Sequence, residues 1–489
     1  MPESKPRAAM RFEDRMTPAD ALMWNIESDP VLRSTILSVW ILDRMPDFSR
    51  FEAKADRATR IIPRLRQRVV ADALGIAPPK WEDDTRFDLR FHVRRAALPG
   101  QGTIRDLLDL AEPIAMQAFD KDRPLWELHL IEGLEGGRCA VIMKLHHAIS
   151  DGVGLVRMTE CLIERGPEDD FSTRPGPAIV EDALPGSSEE ASAWDSVTDA
   201  LADRIRTGLD RWRRIGSAVT RNAVSSLSHP VDTAAEIRDT LSSAGRILAP
   251  SSEPLSPIMR DRSTAVCFDY LSVPLEAMKR AGKSVDGTIN DAFVAGIAGG
   301  LGRYHEAMNS PTERLRMLMP VNVRGSSNPK DPKAAASKNA DVVGNQFAPA
   351  RFEVPISIEN PAERMIAVGK LCREQRDEKA LPWLDEITSV VGSLPTAFTV
   401  NLFGAMQKTT DFTTSNVPGP RRTTWMSGAK IENFMPFGPI AGASLNATAF
   451  SYDGDLHVGI NMDPAAVAQP KLLVECLKAS FEEVLAVSR

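Results

Sequence analysis

The run CAVIMKLHHAISDG, Cys139 to Gly152, joins an almost unbroken apolar stretch to a polar turn that ends in glycine. Residues 139–145 read as a buried strand. Alternation along it sends Val141, Met143, Leu145 and His147 to one face, and Ile142, Lys144 and His146 to the other. Only one of the two histidines can therefore lead into a given cavity. An imidazole titrates near neutrality and suits a general base.

Asp151 stands four residues after His147, and the turn carrying Gly152 and Gly154 lets it fold back. It can orient the imidazole, pair with an arginine and hold the loop, or N-cap the helix expected from Val153. A metal site is not expected, because adjacent histidines on opposite strand faces do not easily reach one ion and no further His or Cys is close in sequence. The absence of a GxSxG elbow leaves a covalent acyl-enzyme without support and makes direct transfer the simpler chemistry.

Around this strand, Ser34–Leu42 reads as a second buried strand, and residues 51–69 and 104–118 read as amphipathic helices, giving a mixed α/β block. From Gly166 to Ala193 the chain is rich in Pro, Gly, Ser and acid, and reads as a linker. Trp194, Val197, Leu201, Ile205, Leu209 and Trp212 then mark one stripe of a long helix whose second half carries Arg211, Arg213, Arg214 and Arg221. Such a helix packs either on protein or on an anionic lipid surface. A second α/β block follows, with strands at 265–271 and 316–323 and helices at 275–281, from the Asn290–Asp291 pair onward, at 361–379 and from Leu384. The expected division is an N-terminal domain at 1–165, a linker with the amphipathic helix at 166–257, and a C-terminal domain at 258–489.

At 489 residues two domains are expected, and a 43% hydrophobic content can fill two cores. The formal net charge of -7 offers no general attraction to phosphate backbones, so nucleic acid is not an expected partner. Five dispersed cysteines suggest neither a disulfide framework nor a zinc site and fit a reducing cytoplasm. No apolar stretch approaches the roughly 20 residues of a membrane span, so any membrane contact is expected to be peripheral.

The motif HHxxxDG at His146 to Gly152 resembles that of the bacterial wax ester synthase/acyl-CoA:diacylglycerol acyltransferase family, within the superfamily of chloramphenicol acetyltransferase, carnitine acyltransferases and condensation domains. Pro124-Leu125-Trp126, Asn290-Asp291, Pro320 to Arg324 and Ser415 to Pro420 resemble the same family in the same order, as do Met16 to Ala21 and Gly442 to Asn446. The resemblance implies an α/β (α+β) fold of two chloramphenicol-acetyltransferase-like domains, each a mixed sheet flanked by helices, meeting at a tunnel. It implies acyl transfer from acyl-CoA, as co-substrate with no other cofactor, to diacylglycerol or a long-chain alcohol. By carry-over His147 is the base, Asp151 keeps the loop in shape, and Asn290 is near the reacting centre; His146 is the fourth candidate of the catalytic site. Gly152, Trp126, Ser415 and Asn416 are the candidate substrate contacts. Each has a structural alternative: an N-cap for Asn290, a core position for Trp126, and a turn for Ser415 and Asn416. A lipid-binding or carrier-dependent relative without this catalysis is the competing expectation. The cytoplasm, with peripheral membrane or lipid-inclusion contact, is the expected location.

Overall fold

The computed structural model describes residues 12, 14–71, 78–150, 152–169, 253–322, 347–376 and 396–487. The strand read from the opening motif is present as β6, Cys139–His146, buried along its whole length. It pairs antiparallel with β1 (Thr35–Leu42) on one side and with β5 (Trp126–Glu132) on the other, while β4 (Val93–Ala97) extends the sheet in parallel with β5. Cys139, Val141, Met143 and Leu145 face a core with Phe51 and Ala55 of helix α2 (Phe48–Ile61). Ala140 and Ile142 face the opposite core, with Leu107, Leu108 and Ala111 of helix α4 (Ile104–Met116). A sheet covered on both faces explains the near-continuous apolar run.

Helix α1 (Pro18–Ile26) precedes β1, with Thr17 as its N-cap accepting from the Asp20 N–H. The helix expected over 51–69 stops at Ile61. Pro63 disfavours helical geometry in the residue before it, and 67–70 forms strand β2 (Gln67–Val70) against β3 (Lys80–Asp83). The apolar period that continued through Leu65 and Val69 serves this hairpin instead. A short helix α3 (Leu89–His92) leads into β4, and α5 (Gly152–Thr159) follows the histidine turn.

The second sheet has the order β7-β14-β13-β10-β8-β9. Its strands are β7 (Cys267–Pro274), β8 (Arg314–Asn322), β9 (Phe347–Pro355), β10 (Phe412–Pro418), β13 (Leu445–Tyr452) and β14 (Asp455–Met462). Strand β10 runs parallel to β8 and β13; the other pairs are antiparallel. Helices α6 (Leu275–Ser284), α7 (Ile289–Ala307), α8 (Pro361–Arg376), α9 (Thr396–Lys408) and α10 (Pro470–Ala486) complete this half. The apolar run within 292–301 lies in α7 and is buried throughout, so it is a core helix. Among the described residues no helix is long and apolar enough to cross a membrane. The amphipathic helix read from Trp194 and the helix read from Leu384 begin outside the described residues.

The two sheets do not follow a single division of the chain. Strands β11 (Trp425–Met426) and β12 (Ala429–Phe437) come from the C-terminal half but lie in the first sheet, with β12 antiparallel to β1. This crossing is pinned by Glu164, whose buried carboxylate accepts from Gly428 N–H at 2.9 Å and meets Lys54 and Arg50. Where β12 passes over the second sheet it needs Gly459, because a Cβ there would sit 1.6 Å from the Pro436 carbonyl oxygen. At the same contact Phe437 stacks on Phe268 with centroids 4.2 Å apart.

Candidate active site

The end of β6 is organised around His146, which is fully buried. Its Nδ1 accepts a hydrogen bond from the Ala148 N–H at 3.0 Å, and its Nε2 lies 2.9 Å from Glu27 Oε1. An accepting Nδ1 places the ring proton on Nε2, facing the carboxylate. Both ring nitrogens thus face partners within the protein. Trp24 and Phe119 pack edge-on against the ring, at 5.8 and 6.0 Å between centroids.

Glu27 follows directly on α1, so the segment Met16 to Ala21 that starts this helix also sets the position of its carboxylate. The same Oε1 accepts the Ser34 N–H at 2.6 Å. Burial opposes ionisation of Glu27. The contact with His146, the Ser34 N–H and the charge of Lys121 outweigh it and hold the carboxyl below the usual range. Glu27→Ala is expected to leave the Ser34 N–H without its acceptor, at about 1–3 kcal/mol, to remove the carboxylate that faces His146 Nε2, and so to lower the melting temperature. A melting temperature equal to that of the wild type would show that neither contact supports the fold.

His147 follows the strand, and its N–H donates to the Ser34 carbonyl at 2.9 Å. The residue is half-buried and its Nδ1 is buried. Ile149 N–H closes the turn on the His146 carbonyl at 3.0 Å. Asp151 lies outside the described residues, and Gly152 opens α5.

Pro124-Leu125-Trp126 supports the motif from the neighbouring strand through its backbone, since the His146 N–H donates to the Leu125 carbonyl at 3.0 Å. Trp126 is itself a core side chain. Its Nε1 donates to the Leu65 carbonyl at 2.8 Å, and its ring stacks on His92 at 4.5 Å.

On the other half, the N-cap of α7 is Thr288, paired with Asp291 in a reciprocal capping box. This corrects the alternative that made Asn290 the cap. Asn290 sits within the first turn, with Nδ2 3.7 Å from Met319 Sδ. Ser415 and Asn416, read as candidates for a turn, are instead paired strand residues of β10, opposite Thr448 and Ala449 of β13. Both are half-buried, and alternation puts them on opposite faces of the sheet. Beside them Asn446 Nδ2 donates to Thr413 Oγ1 at 2.7 Å, which ties β13 to β10, and Asn446 Oδ1 accepts from Thr448 at 2.7 Å within β13. Helix α5 packs against β10, so the helix that follows the histidine turn meets the strand that carries Ser415 and Asn416.

A second polar group lies two residues before His146 on the same face. Lys144 is fully buried, its Nζ donating to the Gln117 carbonyl at 2.8 Å and lying 3.5 Å from Glu127 Oε1. Glu127 Oε2 is 2.9 Å from His129 Nε2 and 3.5 Å from Arg94. Among the described residues no group of three or more His, Cys, Asp or Glu is placed to hold a metal ion. Glu27 and Glu127 were missed by sequence reading. Glu27 stands in no motif and meets His146 across the fold, whereas Glu127 directly follows Pro124-Leu125-Trp126 and meets Lys144 through strand pairing and His129 two residues along its own strand.

The family model for the wax ester synthase/diacylglycerol acyltransferase catalytic domain matches residues 16–293, and that for the C-terminal domain matches residues 343–484. A protein of Mycobacterium tuberculosis (strain ATCC 25618 / H37Rv) named among the diacylglycerol O-acyltransferases is 34% identical, covering 98% of this chain and 93% of its own. A second from the same strain is 29% identical over 97% and 98% of the two chains. Among solved structures, the wax ester synthase/diacylglycerol acyltransferase from Marinobacter aquaeolei VT8 superposes with a TM-score of 0.61 at 20% identity, covering 97% of this chain and 100% of that one. The first condensation domain of the calcium-dependent antibiotic synthetase gives 0.59 at 16%, covering 99% and 97%. At these identities the structural matches speak for the fold alone.

Proposed function

Since the chain belongs to the wax ester synthase/diacylglycerol acyltransferase family and is an acyltransferase, we propose that it moves a long-chain acyl group from acyl-coenzyme A to diacylglycerol or a long-chain alcohol. The observation that carries the mechanism is the difference in burial between the two histidines at the end of β6. His146 is fully buried, whereas His147 is half-buried and adjoins it at the end of the strand. His147 is therefore the general base and His146 positions the turn.

With Nδ1 of His147 buried, Nε2 is the nitrogen assigned to the substrate hydroxyl. As it takes the hydroxyl proton, the alcohol oxygen bonds to the thioester carbonyl carbon. The carbon–sulfur bond then breaks, and the thiolate leaves with the electron pair and collects the proton from His147. A thiol of pKa about 8.5 leaves readily, so the alcohol is the partner that needs activation. Asp151 is assigned to the loop shape and Asn290 to the neighbourhood of the reacting carbonyl. Peripheral contact with a lipid surface rests on the stripe and arginines read from Trp194 onward.

Release of coenzyme A, followed with a thiol reagent, tests the activity when palmitoyl-CoA is mixed with diacylglycerol or hexadecanol. Thin-layer chromatography of the products separates triacylglycerol from wax ester. A chain that binds these lipids but releases no coenzyme A with either acceptor would be the non-catalytic relative.

A further inference from the structure

His147 is flanked by two peptide units, and the N–H of each is committed to a partner. Its own N–H donates to the Ser34 carbonyl at 2.9 Å, and the N–H of the next residue, Ala148, donates to His146 Nδ1 at 3.0 Å. The first bond fixes the peptide plane before the His147 Cα and the second fixes the plane after it. Together they set the two soft backbone dihedrals that aim this side chain. Both partners lead to one atom. Glu27 Oε1 accepts the Ser34 N–H at 2.6 Å and lies 2.9 Å from His146 Nε2, on the far side of the ring whose Nδ1 holds Ala148. Ser34, His146 and Ala148 are all buried, so bulk water does not replace a lost partner here.

We propose that Glu27 is a positioning residue for acyl transfer, its Oε1 being the common anchor through which the backbone on both sides of His147 is held and the imidazole kept aimed at the substrate hydroxyl. The inference rests on the reading of His147 as general base. The place of this oxygen is built into the fold. Glu27 caps the C-terminal end of α1, and the short connection from it to Ser34 contains a turn of 3-10 helix at Pro30–Leu32. Asp29 caps that turn, accepting the Val31 N–H at 3.1 Å and the Lys408 ammonium of α9 at 2.5 Å. Trp24 and Phe119 pack edge-on against the His146 ring and hold its tilt. What the turn takes from Glu27 is an oxygen at a fixed place. The Ser34 N–H and the Nε2 proton are both donors, and a carboxamide oxygen has the two lone pairs to meet both.

Three substitutions in the full chain separate position from charge. Glu27→Gln keeps an oxygen at the same reach without the charge. Glu27→Asp keeps the charge but draws the oxygen back by one bond length, about 1.5 Å. Glu27→Ala removes both. Coenzyme A release from palmitoyl-CoA and hexadecanol is followed below the melting temperature of every variant, with kcat expressed per folded molecule from circular dichroism. A misplacement of about 1 Å costs on the order of 10²-fold in rate. Glu27→Asp and Glu27→Ala are therefore expected to lose at least tenfold in kcat with KM for both substrates within about threefold of wild type, and Glu27→Gln to lose less than tenfold. If Glu27→Ala does not fold, the contrast between the other two carries the test. Less than tenfold loss in Glu27→Asp overturns the proposal, as does a loss in Glu27→Gln equal to that in Glu27→Asp, since charge and not position would then be what the turn requires. Added to His147→Ala, Glu27→Asp should cost no more than about threefold further, because the imidazole it acts through is already gone. The full loss repeated on that background overturns the proposal by placing the effect of Glu27 elsewhere. Wild-type turnover in His147→Ala alone would instead remove the base reading, and the proposal with it.

Discussion

Alanine in place of His147 is expected to lower turnover by about 10²- to 10⁴-fold, or roughly 3–5.5 kcal/mol of transition-state stabilisation, at saturating acyl-CoA and alcohol. The thioester supplies its own leaving group, so the lost task is removal of the hydroxyl proton, which neither substrate performs alone. Binding of acyl-CoA, measured separately, should change little. Wild-type activity should rise with pH as an imidazole loses its proton, and the variant should lack that rise. His146→Ala provides the contrast. It removes a fully buried ring that accepts from Ala148 N–H and faces Glu27, so its effect should fall more on the melting temperature than on turnover per folded molecule. Turnover of His147→Ala within about tenfold of wild type would remove the general base from the mechanism.

The contrast between the histidines was legible in sequence only as opposite strand faces. That reading used alternation alone, which is a local property of β6. What fixes His146 is Glu27, brought in by α1 from more than a hundred residues upstream, and no local pattern announces such a meeting. The same limit explains β12. Its residues fall in the range expected for the C-terminal domain, 258–489, yet the partner is β1, because pairing across the chain is decided by which edge is open. Capping was legible but misassigned: Thr288 and Asp291 have the spacing of a capping box, whereas the neighbouring Asn290 drew the cap reading by residue type alone. A core position was one of the two readings of Trp126, and the structure buries it at the start of β5. The further role of Pro124-Leu125-Trp126, a backbone carbonyl that accepts the His146 N–H, is invisible in side-chain chemistry.

Glu127→Gln is expected to destabilise the fold by about 3–5 kcal/mol at neutral pH, because it removes the anionic partner of a fully buried lysine. Burial alone would raise the Glu127 pKa. The bond to His129 and the charges of Lys144 and Arg94 overcome this and hold the carboxyl at about 2. A carboxyl whose pKa is lowered by folding gives stability that is fully present above its unfolded value, about 4.3, and lost as pH falls toward 2. Wild-type stability should therefore decline through that acid window, and the glutamine variant should show a shallower decline there. The alkaline side carries the opposite signature. Burial lowers the pKa of Lys144 despite the pull of Glu127, and in the variant that pull is gone, so the amine sheds its proton more readily. The folded variant then binds fewer protons than its unfolded chain over a wide range below the ordinary lysine value, and its stability rises with pH across that range. The difference between the two proteins should narrow as pH climbs toward about 10. Denaturant melts from pH 3 to pH 10 would measure both slopes. A constant difference across that range would mean that the Lys144–Glu127 pair contributes no charge-dependent stability.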